Sequence, residues 1–165
     1  MGSSIYQTRF WNHLDQLKQH TYYVEDYLLQ TERVENYINV FLAIVTNASI
    51  CTWAIWKKMD TLWAALIALS QLVNAVKPHL IYSKRIKALR GLYNELDDIF
   101  NYFEIKWYSI AEGELTEKEI AELCSDLNKR KSQASRKHLD SFSLPEKKHL
   151  MAKAEDKTKV FFSCY

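Results

Sequence analysis

Four polar side chains, Asn47, Ser70, Gln71 and Asn74, stand in stretches of the chain that carry no charge. Amides and hydroxyls in that setting have two uses. They bond to one another across adjacent helices, worth about 1 kcal/mol each, or they line a path for water or ions. Either use is association or conduction, with no bond broken. Residues that could break bonds or hold metal are poorly organised by comparison. The five histidines are His13, His20, His79, His138 and His149. His13 and His20 share a helical face but lie two turns apart, too far for one metal ion. Metalloprotease, nucleophile-elbow and phosphate-loop patterns do not occur. Cys51, Cys124 and Cys164 are far apart in sequence and read as free thiols. Glu95, Asp97, Asp98 and Asp126 read as solvated faces, without a paired-carboxylate site. The expectation is therefore a non-enzyme with no cofactor, no metal and no catalytic residue.

Basic residues form two groups. Lys84, Arg85, Lys87 and Arg90 follow the second uncharged stretch, and Lys129, Arg130 and Lys131 lie further on, with Arg136 and Lys137 beyond. Both groups are candidate contacts to anionic lipid headgroups or to an acidic partner. For the second group a solvated helix face is the leading reading and such a contact the next. Nucleic acid is a poor fit, because the net charge is only +2 and aromatic residues are not interleaved with these cations.

The elements that must position these residues follow from charge segregation. From Asn36 to Trp56 the chain runs 21 residues without a charge, and Thr61 to Val76 adds 16 more. Between them lies Lys57-Lys58-Met59-Asp60, a linker that permits only an antiparallel hairpin. Spans of about 17–25 apolar residues cross a bilayer as helices. Trp53, Trp56 and Trp63 at the tip, with Tyr37, His79 and Tyr82 at the other end, would form aromatic belts. Residues 1–36 carry five acids and lack an apolar signal core, so the first run would itself direct insertion. By the positive-inside rule both termini of this multi-pass protein are expected in the cytoplasm, at the cell (inner) membrane. A soluble helical bundle with a very apolar centre is the opposing reading, and it would house Asn47, Gln71 and Asn74 as bonded core amides.

Outside the hairpin the pattern is helical throughout. Only three Gly and two Pro occur in 165 residues, which favours long helices. Phe10, Leu14, Leu17, Thr21, Val24, Leu28, Thr31, Glu35 and Ile38 step by three and four. Ile86, Leu89, Tyr93, Leu96, Phe100, Phe103, Trp107 and Ile110 do the same. A turn centred near residue 59 places positions opposite when their numbers sum to about 118. Phe10 then meets Trp107 or Tyr108, Leu28 meets Leu89 or Arg90, Ile38 meets Leu80, and Asn47 lies level with Gln71. Gly113 should end the second stripe, Pro78 should kink its helix, and Gly91 is a costly glycine in a helix interior. Thr116 and Glu119 predict a capping box for a third helix. Ser143-Leu144-Pro145-Glu146 predicts the start of a fourth, and the aromatic tail from Val160 is expected to dock on the helical stalk.

The segment Ile86-Lys87-Ala88-Leu89-Arg90-Gly91-Leu92-Tyr93-Asn94-Glu95-Leu96-Asp97 and the turn Gly113-Glu114-Leu115-Thr116-Glu117-Lys118-Glu119-Ile120 resemble the bacterial SMODS and SLOG-associating two-transmembrane effectors (SLATT). The resemblance implies an all-α protein in three parts. Residues 1–36 would be an N-terminal cytosolic helix, 37–82 a transmembrane hairpin and 83–165 C-terminal cytosolic helices. It also implies a membrane-permeabilising effector of an anti-phage conflict system that opens or oligomerises on a signal. Its partners would be the lipid bilayer, further copies of itself, and a signalling or nucleotide-sensing protein. A membrane-anchored scaffold or adaptor is the first alternative, and a soluble helical-bundle interaction protein is the second.

Overall fold

The computed structural model describes residues 4–47, 60–76, 82–140 and 142–163. They form five α-helices: α1 (Ile5–Asn47), α2 (Asp60–Val76), α3 (Tyr82–Ala111), α4 (Glu117–His138) and α5 (Lys148–Phe162), with no strand among the described residues. The protein is all-α, as its scarcity of helix breakers predicts. It divides into two compact units. One comprises Met1–Leu28 and Lys87–Tyr165, the other Leu29–Ile86. They are called the bundle unit and the hairpin unit below.

Among the described residues no helix is long and apolar enough to cross a membrane. The helix α2 has 17 residues, about 25 Å at 1.5 Å per residue. The helix α1 is described only to Asn47, so much of the first uncharged run falls outside the described residues. The described helices therefore do not by themselves supply the two spans that charge segregation predicts. The tip tryptophans Trp53 and Trp56, the linker 57–59, the Pro78 kink and the pairing of Ile38 with Leu80 also lie outside the described residues.

In the bundle unit the first half of α1 packs with α3, α4 and α5. The α1 stripe is fully sequestered: Phe10, Leu14, Leu17, Thr21, Val24 and Leu28 are all buried. Thr21 belongs there because its hydroxyl donates to the Leu17 carbonyl at 2.9 Å, which satisfies it without a tertiary partner. On α3 the predicted Leu89, Leu96, Phe100, Phe103 and Ile110 are buried, and so are Leu92 and Ile99. A two-helix pair needs only one stripe. The wider face on α3 is filled because α4 and α5 add Ile120, Cys124, Leu127, Ala134, Leu150 and Ala154 to the same core.

The antiparallel register agrees with the predicted sum near 118. Phe10 stacks on Trp107 at 6.2 Å with rings 5° from parallel. The Gln7 amide donates to the Ile110 carbonyl at 2.9 Å, and Trp11 lies 4.8 Å from Trp107. Within the aromatic tail Phe161 and Phe162 dock as expected, Phe162 meeting Trp11 at 4.7 Å and Phe161 meeting Phe100 at 5.7 Å, while Val160 is exposed and Cys164 and Tyr165 lie outside the described residues.

Helix ends follow local chemistry. Gly113 has φ 77°, a left-handed conformation that suits glycine. Its N–H reaches the Ile110 carbonyl and the Glu114 N–H reaches Ser109, which closes α3 with two carbonyls satisfied. Thr116 and Glu119 form the predicted capping box at the start of α4. The fourth-helix expectation needs correction. Residues 142–147 are irregular and α5 begins only at Lys148. The cause is tertiary. The Tyr23 hydroxyl donates to the Pro145 carbonyl and accepts from the Lys147 N–H at 3.1 Å. That clamp holds extended the very residues that Pro145 would otherwise lead into a helix.

Candidate functional site

The residues predicted to matter fall in two places. In the hairpin unit, Ser70 is only 3% exposed, while its neighbours Leu69 and Leu72 are 47% and 60% exposed. Gln71 and Asn74 are exposed as well. On the α1 side of the same unit Val40 and Ile44 are 56% and 66% exposed. Large apolar side chains thus face outward together with the two amides, while Ser70 and Leu42 are sequestered. So many exposed Leu, Ile and Val side chains on one unit form an apolar surface that water does not favour. The side chain of Asn47 lies outside the described residues, and so does its expected partnership with Gln71.

The two basic groups are not uniform patches. Lys84, Lys87 and Arg90 are exposed and Arg85 is half-buried. On α4 three consecutive cations separate by environment. Lys129 is exposed. Arg130 donates to Asp126 at 2.9 Å and lies over the Tyr102 ring at 4.6 Å. Lys131 is half-buried, and burial pulls its pKa below the ordinary lysine value. Helical spacing requires this division, since successive residues point about 100° apart.

Sequence reasoning missed three arrangements in the bundle unit. The first is an acid–base clamp. The Asp26 side chain is 2% exposed, and its Oδ1 accepts from Lys153 at 2.8 Å and from Lys157 at 3.0 Å. Lys157 also donates to Glu25 at 3.1 Å. Burial alone would raise the Asp26 pKa, yet the two lysine hydrogen bonds outweigh it and hold the carboxyl below its usual range. The second is a lysine inside an aromatic enclosure. Lys18 Nζ lies 4.0 Å from the Phe100 ring, 4.5 Å from Phe161 and 5.2 Å from Tyr22, with Asp97 at 3.8 Å.

The third is a cavity of about 360 Å³ beside α1, lined by Gln16, Gln19, His20 and Tyr23 on one wall. Leu139, Leu144, Pro145 and Glu146 form the second wall, and Met151 and Ala154 of α5 close it. The four α1 residues obey i, i+3, i+4, i+7 spacing and share one face. His20 Nδ1 is sealed from solvent and has no hydrogen-bond partner. Burial, helped by the nearby Lys131 charge, lowers the His20 pKa to about 4. The ring is therefore neutral at physiological pH. The sequence signal for this site is weak, because the opposing wall lies more than a hundred residues away.

His13 on the same helix is also shifted down, by burial and then by Arg9 and Lys131. Burial raises the Cys124 thiol pKa, which makes it an unreactive core residue. Among the described residues no three His, Cys, Asp or Glu side chains gather as metal ligands would. No protein-family model, curated protein or solved structure matches this chain.

Proposed function

We propose that this chain is a membrane-permeabilising effector of a bacterial anti-phage conflict system, which acts by regulated oligomerisation or opening of a two-span helical hairpin. The observation that carries this reading is the row of exposed apolar side chains on the hairpin unit, Val40, Ile44, Leu69 and Leu72, beside the sequestered Ser70 hydroxyl. In lipid that arrangement is favourable: apolar faces meet acyl chains and the hydroxyl is shielded. The exposed amides of Gln71 and Asn74 lie one turn apart on α2. An amide facing acyl chains is costly, and a second copy that covers it removes the cost. Self-association in the bilayer follows from that cost. Lys84, Lys87 and Arg90 would sit at the anionic cytoplasmic surface.

A membrane-anchored scaffold is the second reading. The exposed Tyr102, Ile105 and Tyr108 on α3 favour it, since they offer a partner an apolar stripe.

The experiment is carbonate extraction followed by dye release from vesicles. The protein should stay with the membrane, and the wild type should release dye when oligomeric. Joint replacement of Asn47 and Gln71 by Leu should abolish release while insertion persists, because it dries the polar path. Insertion without release, with signalling partners supplied, selects the anchored scaffold. Folded recovery without detergent or lipid overturns the membrane reading.

A further inference from the structure

The geometry points to the cavity between α1 and the residue 139–154 segment as a binding site for a small, neutral, planar molecule that carries a carboxamide or lactam edge. This assignment is independent of the membrane reading, because every lining residue belongs to the bundle unit.

Size is the first argument. A volume of about 360 Å³ falls within the range of small-molecule sites, roughly 300–1,000 Å³. The walls are the second. Leu139, Leu144, Pro145 and Met151 are apolar and suit a flat ring, and the Met151 thioether adds a favourable contact with aromatic faces. The cavity is also held in shape, since the Tyr23 hydroxyl ties Pro145 and Lys147 to α1. A preformed wall lowers the ordering cost of binding.

The polar groups determine the ligand's chemistry. His20 Nδ1 is sealed and unpartnered. Orphaned buried donors are rarer than orphaned acceptors, which places the ring proton on Nε2. That leaves the ring one N–H donor, and His20 is among the residues that line the cavity. Gln16 and Gln19 flank it on the same face of α1, and each carries an amide donor and acceptor. One carbonyl beside one N–H is the edge that satisfies such a set.

Charge excludes the alternatives. Among the described residues no Lys or Arg lines the cavity, and Glu146 is the one acid. A phosphate or carboxylate entering there would lose hydration with no cation to replace it. The one carboxylate on the wall, Glu146, is exposed to water, so a cation gains little from it.

The test uses the full chain with histidine ring carbons labelled, in lipid nanodiscs if it inserts and in buffer if it is recovered folded without lipid. The probes are indole-3-carboxamide and the isosteric anion indole-3-carboxylate. The carboxamide should bind with one-to-one saturation at a dissociation constant below about 1 mM, and should shift the His20 ring signals. The carboxylate should bind at least about tenfold more weakly. Gln16→Ala and Gln19→Ala should each weaken carboxamide binding by about tenfold. Met151→Trp, at an exposed lining position that tolerates size, should block it. Equal binding of the two probes, unmoved His20 signals at saturation, or full binding to Met151→Trp would each overturn the assignment. Failure of both probes to bind overturns it as well.

Discussion

The His138 ring lies flush against the backbone of Gly91: a Cβ added at Gly91 would sit 2.6 Å from His138 Cε1 and 2.8 Å from Nδ1. This contact is why glycine stands inside α3. His138 in turn bonds Glu95 Oε2 through Nε2 at 2.8 Å, and Lys137 donates to the same oxygen at 2.8 Å. The end of α4 is thereby fastened to the middle of α3.

Gly91→Ala should therefore behave against the helix scale. In an open helix that change stabilises by about 1 kcal/mol. Here the methyl must expel His138 from Glu95, so the net effect in the wild type should be destabilising by about 1–2 kcal/mol. In a His138→Ala background the same change should stabilise by about 1 kcal/mol. Urea midpoints of the four proteins in this cycle give the answer. Equal effects in both backgrounds would show that the ring does not rest on Gly91.

Asp26→Asn should weaken the attachment of α5 in a pH-dependent way. The folded carboxyl sits below its ordinary value of 3.8, through Lys153 and Lys157 outweighing burial. Its contribution is thus fully present above 3.8 and fades as pH falls through the lower folded value. At neutral pH the substitution should cost about 1–2 kcal/mol, discounted because Lys153 is more than half exposed. The stability curves of the two proteins should run parallel from about pH 7 down to about 4 and converge as the pH falls from about 4 to about 2. A gap that stays constant over that interval contradicts the ion-pair origin.

Lys18→Met keeps the aliphatic stem and removes the charge from its enclosure of Phe100, Phe161 and Tyr22. The expected loss is about 1 kcal/mol, the usual scale for a partly desolvated cation over aromatic faces. Phe161 comes from the C-terminal end of α5, so the effect should shrink in a Phe161→Leu background. Strict additivity of the two substitutions, measured by chemical denaturation, would mean the contact carries no coupling energy.

Much of this architecture was legible from residue order alone, wherever the interaction is local or repeats along one helix. The three-and-four stripes on α1 and α3 named the buried faces, because a helix presents the same side every 3.6 residues. Gly113 and the Thr116–Glu119 box marked helix ends, because capping involves groups within five residues of one another. The aromatic tail declared its own burial, because Phe161 and Phe162 side by side gain by leaving water. Beyond the α1–α3 register, tertiary structure decided what joins distant segments. Pro145 reads as a helix start until the Tyr23 hydroxyl, 122 residues away, captures its carbonyl. Gly91 reads as a defect until His138 is laid against it. Lys129, Arg130 and Lys131 read as one patch until the packing of α4 gives each a different environment. The neutral His20 and its cavity have no sequence signature, since a desolvated imidazole is made by the walls around it and those walls come from the far end of the chain.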